Sequence, residues 1–435
     1  MSTLPKPKRT NMPDWLQFVV AELTKPPYFM NQEAESPVSQ AYAPNTTASG
    51  NSAHTSKSAT ASAAKPRAQR ERERDRHTSA TDNLDTVRRQ PANATRSHRN
   101  SDIPERVLDQ YEWKIAHTER VPGALKVTLQ DGRHFAVKET DIPAKRVWFI
   151  HRALNWAKKQ GFSRFAPFYF TKAKSPVFVY EGKTYYATSW IDGQNANFAS
   201  AEHVAQTAYT LAQFHEATKG FSSEKFTPDD VYDLFGLMQQ RNRDLRRMII
   251  RADAKRDPDE FDRLLVTLKP ALLDDSAECL QILQSRECVE FLESDRRNAG
   301  LCHLDVTPGN CLYTPDHHVA LIDFDLSTFA PRALDIAHLL RRSFQTTDWD
   351  GHFAYACFLH FDSVRSIPKA EYKLVEALLR FPYLPWRLAH TRYNYYASQE
   401  QLDDLQQYAL QADRRKAFLS SLAEQIRDLS VEAKS

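Results

Sequence analysis

Glycine is scarce in this chain, with 11 in 435 residues. A loop that uses several glycines to wrap backbone amides closely around a phosphate is therefore missing. The expected turn between the first two strands, His117 to Ala124, holds one glycine. Cysteine is sparse as well: Cys279, Cys288, Cys302, Cys311 and Cys357 are odd in number and lack CxxC or Cys/His zinc spacing. That excludes a disulfide framework and a structural zinc site, and Cys302 and Cys311 read as small buried hydrophobes rather than nucleophiles. No run of 18 apolar residues exists, so no helix spans a membrane, and Met1 to Lys8 lacks the apolar segment of a secretory signal. The chain is expected to be made and kept in the cytosol, with no membrane partner. Neither charge sign dominates, since 58 Lys and Arg face 55 Asp and Glu, and no overall attraction to polyanions follows.

Large apolar side chains are nearly absent from residue 31 to about 100, which is rich in Ser, Thr, Ala, Asn, Pro and Arg. Such a segment buries too little to offset the entropy of ordering its backbone. Residues 1–103 are accordingly expected to be a disordered tail. It contains a candidate helix at 13–24 with apolar side chains at helical spacing, which needs a surface to bury its stripe. The mixed-charge run Lys65 to Arg76 reads as a solvated linker. Nucleic acid is the least favoured partner, because no groove-reading or base-stacking element accompanies that run.

From about residue 104 the pattern becomes globular. Tyr111–Ile115, Ala124–Leu129 and Arg133–Glu139 alternate apolar and polar residues and predict an antiparallel meander. Pro143 opens a helix that Gly161 closes. Two further strands, 175–180 and 183–190, flank the Glu181-Gly182 turn, and 191–194 reads as a linker. After Ala199 helical periodicity prevails. The expected architecture is α+β, with a small antiparallel-sheet lobe carrying one helix over 104–192 and a large helical lobe over 193–430.

Chemical specificity is concentrated in His303-Leu304-Asp305-Val306-Thr307-Pro308-Gly309-Asn310 and in Leu321-Ile322-Asp323-Phe324-Asp325. A short hairpin, 311–313 and 318–322, separates them and brings Asn310 and Asp323 to one end. Phosphoryl transfer needs a carboxylate to orient the attacking hydroxyl and hard oxygen ligands to hold Mg²⁺ against nucleotide phosphates. Asp305 fits the first need, and Asn310 with Asp323 the second. His303 reads as a brace for the backbone.

The order of parts resembles the protein-kinase-like fold in its aminoglycoside and choline kinase branch. Within that branch it resembles the CotS-type spore coat proteins of endospore-forming bacteria. The resemblance rests on Ala153 to Trp156 before Gly161-Phe162, Tyr185 to Gly193, Leu211 to Ala217, Ile322 to Asp325, and Leu334 to Arg342, and covers about 105–425. It implies ATP and Mg²⁺ as cofactors, Asp305 as the catalytic acid, and Asn310 and Asp323 as metal ligands. Lys138 would contact the nucleotide phosphates, and Ser189 to Ile191 would offer hinge backbone to adenine. Asp325 would support the metal or a second ion, or cap the turn, and Asp335 would anchor the catalytic loop or start a helix. The acceptor, a hydroxyl compound, would sit between the loop and the C-terminal helices, near Arg380–Arg387 and Tyr393–Tyr396. Spore-coat residence, with coat proteins met through the tail, is also implied.

One departure bears on activity. The 143–160 helix has Lys145, Arg146, Arg152, Lys158 and Lys159 but no acid, so the usual ion pair between a kinase lysine and a helix carboxylate cannot form. Either another carboxylate substitutes or Lys138 is loosely held. Two functions fit this pattern: an ATP-dependent phosphotransferase, or a non-catalytic kinase-fold scaffold of the spore coat.

Overall fold

In the computed structural model, residues 103–223 and 231–432 are described. The expected tail, Ile103 excepted, and its candidate helix at 13–24 lie outside them. A short helix, α1 (Glu105–Leu108), precedes a sheet built from β1 (Ile115–Val121), β2 (Ala124–Leu129) and β3 (His134–Thr140). Helix α2 (Ala144–Lys159) and strands β4 (Phe168–Tyr169), β5 (Phe178–Tyr180) and β6 (Lys183–Ser189) complete the small lobe. Its strand order is β1-β2-β3-β6-β4, with β5 also on β6, and every pairing is antiparallel.

The period of two along β3 sorts its side chains between the two faces. Phe135 and Val137 join Val127, Tyr185 and Ala187 in one apolar cluster with Val107 and Tyr111. Lys138 and Thr140 fall on the opposite face, and β3–β6 register sets Tyr186 directly across from Lys138. Helix α2 buries Val147, Ile150, Leu154 and Ala157, a stripe at helical spacing. It stops where Gly161 takes φ 94°, a left-handed turn that glycine enters without penalty.

The expected first strand, Tyr111–Ile115, is corrected. Tyr111 stacks on Trp113 at 4.1 Å, and Trp113 on Phe135 at 5.0 Å, so this alternation is an aromatic plug over the sheet. The true first strand begins at Ile115 and takes up most of the expected 117–124 turn. It is an edge strand whose middle five residues are exposed, so its sequence carries little apolar signal. The turn itself is tight, with Val121 paired to Ala124.

The large lobe begins with β7 (Gln194–Asn195), which starts at the last residue of the expected linker, followed by α3 (Ala201–Ala217), capped by Ser200. Then come α4 (Leu234–Asp253), α5 (Glu260–Thr267), α6 (Lys269–Leu283), α7 (Arg286–Arg296), β8 (Leu301–Cys302), β9 (Cys311–Tyr313), β10 (Val319–Leu321) and β11 (Thr328–Phe329). Helices α8 (Ala333–Thr347), α9 (Gly351–Val364), α10 (Lys369–Arg380), α11 (Tyr383–Asn394), α12 (Gln399–Leu410) and α13 (Ala412–Glu432) close the chain. β10, β9 and β7 form one small sheet, and β8 pairs β11. The main core runs from α2 and α3 through α8, α9 and α10, and a second cluster joins α4, α5, α11 and α12. All five cysteines are buried and unbridged within this framework. The architecture is the two-lobed kinase-like one: an antiparallel-sheet lobe, then a helical lobe. None of the described helices is long and apolar enough to cross a membrane.

Candidate functional site

Strand β8 delivers the chain into the loop 303–310, and one buried carboxylate sets the course of that loop. Asp335, in the first turn of α8, accepts the His303 amide at 2.7 Å, the Leu304 amide at 2.8 Å and His215 Nε2 of α3 at 2.8 Å. Burial acts against the Asp335 charge, but the His215 hydrogen bond and the His303 amide outweigh it and hold the carboxyl below the usual range. Burial drives His215 below the ordinary imidazole value, despite the pull of Asp335 the other way. The loop therefore hangs from a carboxylate braced by a neutral imidazole. Of the two roles expected for Asp335, the contacts are those of the loop anchor; the N-cap position of α8 is held by Arg332 without a side-chain cap.

His303 is buried and ties the two halves of the motif together. Its Nδ1 accepts the Asp305 amide at 3.3 Å, so Nε2 carries the proton and donates to the Ile322 carbonyl at 2.9 Å. Between these anchors Leu304 takes φ 63°. A left-handed leucine is a strained conformation held only by its surroundings, and here it turns Asp305 out of the loop. Asn310 gives both amide protons to Asp305, to the backbone oxygen at 2.9 Å and to Oδ2 at 2.8 Å. That leaves the oxygen of the Asn310 amide as its ligand atom. The Ile322 amide donates to the Asn310 carbonyl at 3.0 Å, which sets Asp323 beside Asn310. Asp323 is also left-handed, with φ 63°.

Across the cleft, the Lys138 ammonium pairs with Asp323 and, at 2.9 Å, with Asp325 Oδ2. Asp325 is buried and also accepts Thr140 Oγ1 at 2.7 Å and Tyr186 Oη at 2.8 Å. From α2, Arg146 Nε donates to the Asp325 carbonyl at 2.9 Å and Nη2 to the Ser327 carbonyl at 3.3 Å. Lys138 is thus held without a helix acid. Asp325 supplies the substitute carboxylate, and the helix reaches the same loop with a cation aimed at backbone oxygens.

The sequence-chosen residues fall into two groups. Asp305, Asn310, Asp323 and Lys138 converge. Asp325 joins them through Lys138, with Thr140 and Tyr186 as its other partners. Ser189 and Ile191 lie at and just beyond the end of β6. The Ser189 amide is already given to the Pro167 carbonyl at 2.9 Å and the Trp190 amide to His134 at 3.0 Å.

The donor set suits a hard divalent cation: a carboxylate and an amide oxygen, with a lysine beside them for phosphate oxygens and no soft ligand. Residues 124–365, more than half of the chain, match the sequence family described as the phosphotransferase enzyme family. The chain belongs to that family.

This phosphotransferase-family protein is similar to an aminoglycoside phosphotransferase from Alicyclobacillus acidocaldarius of known crystal structure. Identity is 51%, over 75% of this chain and 97% of that one, with a TM-score of 0.70. It shares its fold with a spectinomycin phosphotransferase solved with ADP and spectinomycin, at 14% identity over 73% of this chain and 97% of that one, with a TM-score of 0.54. The AMP-bound form of that enzyme aligns comparably, at 13% identity over 73% and 96%, with a TM-score of 0.55. No curated protein matches the phosphotransferase-family chain.

Three residues of the family member's cleft escaped sequence reasoning: Thr140, Tyr186 and Arg146. The first two had a signal. Thr140 is two residues beyond Lys138 and so shares its face, and Tyr186 lies in the aromatic segment 185–193. For Arg146 the signal was the missing acid itself, since a basic first turn facing the cleft needs oxygens to satisfy it.

Proposed function

We propose that the protein is an ATP- and Mg²⁺-dependent phosphotransferase acting on a hydroxyl acceptor. The observation that carries this reading is the convergence of Asp305, Asn310, Asp323 and Lys138 at one cleft between the lobes. In this reading Asp305 orients the acceptor hydroxyl and receives its proton, and the amide oxygen of Asn310 with the Asp323 carboxylate holds the metal. Lys138 holds nucleotide phosphates and the 189–191 backbone faces adenine. Bound Mg·ATP supplies the phosphoryl group and offsets the charge that develops on it. Asp325 is the positioning carboxylate for Lys138. The missing helix acid, which favoured a non-catalytic scaffold, loses its force once Asp325 does that work.

An ADP-release assay of wild type beside Asp305→Ala tests the proposal, with spore-coat extract as a pooled acceptor. The variant is expected to lose about 10²- to 10⁴-fold in turnover, the usual worth of a positioned acid or base, while keeping Mg·ATP binding. Equal turnover in both proteins would sink the assignment. The resemblance of 185–193 and 334–342 to CotS-type proteins supports a finer proposal, that the protein resides in the spore coat of an endospore former. Immunolabelling of purified spores from the source organism should then mark the coat, and labelling confined to vegetative cytosol would overturn it.

A further inference from the structure

Along the helix that anchors the 303–310 loop, the large lobe carries a wall of guanidinium groups with too few carboxylates to match them. Helix α8 leads from Asp335, which holds the catalytic loop, to His338 and Arg342, three and seven residues on and so on the same face. At 1.5 Å per residue, Arg342 stands about 10 Å along the axis from the loop anchor. Its neighbour Arg341 lies 4.4 Å from the Tyr383 ring centroid. Arg241 of α4 approaches the same ring at 5.2 Å and Trp386 at 5.0 Å. Three helices, α4, α8 and α11, therefore converge on one spot. Arg241, Arg341, Arg342, Tyr383 and Trp386 are all partly exposed there.

These three arginines lack the partners that others in the chain have. Arg332 forks onto Glu371, Arg380 pairs with Glu376 and Glu278, and Arg392 with Asp259. Among the described residues Arg241, Arg341 and Arg342 form no ion pair. Arg341 gives one hydrogen bond, to the Leu378 carbonyl at 3.1 Å. Arg241 reaches the Met238 sulfur at 4.0 Å. The nearby carboxylates do not balance them. Asp244 accepts from Gln240 and Arg247, and burial raises Asp404, which works against its charge. Burial and mutual repulsion push Arg341 down to about 10, and burial with the charge of Arg387 lowers Arg342. Arg342 also feels the charge of Asp305. Desolvated cations without a counter-ion are costly, whereas guanidinium groups held over aromatic faces, as Arg241 and Arg341 are, are pre-set to fork onto an oxyanion.

We infer that the acceptor carries an anionic group, a carboxylate or a phosphate, held by Arg342 with Arg341 and Arg241 while its hydroxyl lies at Asp305. The inference rests on the phosphotransferase reading and narrows it. A polyamine acceptor would meet this wall with the wrong sign.

The test separates the two ideas. Calorimetry at saturating Mg·ADP, which keeps the nucleotide site filled, measures binding of glucose, glucosamine, glucuronate and glucose 6-phosphate, with inorganic phosphate as the bare anion. Phosphate and at least one of the two anionic sugars are expected to bind at least tenfold more tightly than glucose and glucosamine. Arg342→Gln should weaken them by about the same factor, since it removes a charge-assisted contact to the anion. In turnover the variant should raise KM for the anionic acceptor with kcat largely kept. Whether glucuronate or glucose 6-phosphate is preferred distinguishes carboxylate from phosphate. Anion binding no tighter than glucose, or unchanged in Arg342→Gln, overturns the inference whatever the turnover. Arginine-dependent anion binding without transfer from ATP to any hydroxyl overturns the phosphotransferase reading instead.

Discussion

Replacing Asp325 with asparagine removes one of the two negative charges on the Lys138 ammonium while keeping the side-chain shape. The lysine and the carboxylate are both buried, 8% and 5% exposed, so water cannot take over the lost contact. A buried hydrogen bond to a charged group is worth about 1.5–3 kcal/mol. At roughly 1.4 kcal/mol per factor of ten, that predicts a 10- to 100-fold loss in kcat/KM for ATP. Asparagine also brings a donor amide into a pocket where Lys138, Thr140 and Tyr186 already donate, so the lysine is expected to be misdirected as well as weakened. The assay is two titrations of initial rate: ATP at excess free Mg²⁺, and Mg²⁺ at saturating ATP. A shifted ATP curve with an unmoved Mg²⁺ curve is expected. An unmoved ATP curve with a shifted Mg²⁺ curve would make Asp325 a metal ligand and refute its role as the substitute for the helix acid.

Other contacts carry three more expected outcomes. Glu371→Ala leaves the Arg332 guanidinium, forked onto it at 2.8 Å twice, as an unpaired charge inside the protein, at a cost of about 3–5 kcal/mol; urea denaturation should show a lower midpoint, and an unchanged one would contradict it. Stability should fall as the solution is acidified below about pH 6.5. His215 has a folded value below its unfolded one, so the unfolded chain binds more protons in that window and is favoured by acid, and the depressed Asp335 adds a second loss nearer pH 4. A urea midpoint flat from pH 8 to 5 would refute this. Asp323→Ala should abolish the thermal shift produced by Mg·ATP, and an equal shift in wild type and variant would remove Asp323 from the metal site.

The elements legible in the sequence are those whose signal is local. Ala124–Leu129 alternates over a half-buried sheet, Pro143 and Gly161 punctuate α2, and the 303–310 loop and the 321–325 segment announce themselves by spacing. The partners of Asp325 were not legible, because Lys138, Thr140 and Tyr186 are 139 to 187 residues away and no periodicity spans that distance. Nor was the true β1, whose edge position leaves it without an apolar face. Tyr111 and Trp113 imitated a strand because capping a sheet with aromatic rings requires the same every-other spacing as lying in one. The arginine wall was spelled out as Leu339-Leu340-Arg341-Arg342, but only the fold shows that Arg341 meets Tyr383 instead of a carboxylate.

Arg146 holding the Asp325 and Ser327 carbonyls has a mechanical consequence. Helix α2 of the small lobe is latched to the metal-strand loop of the large one, alongside the Lys138, Thr140 and Tyr186 contacts to the same few residues. A helix so fastened cannot swing away alone. Drawing it outward would pull the lysine and the loop apart in the same movement. Rotating this helix while the rest of the cleft stays assembled would therefore break both of those hydrogen bonds.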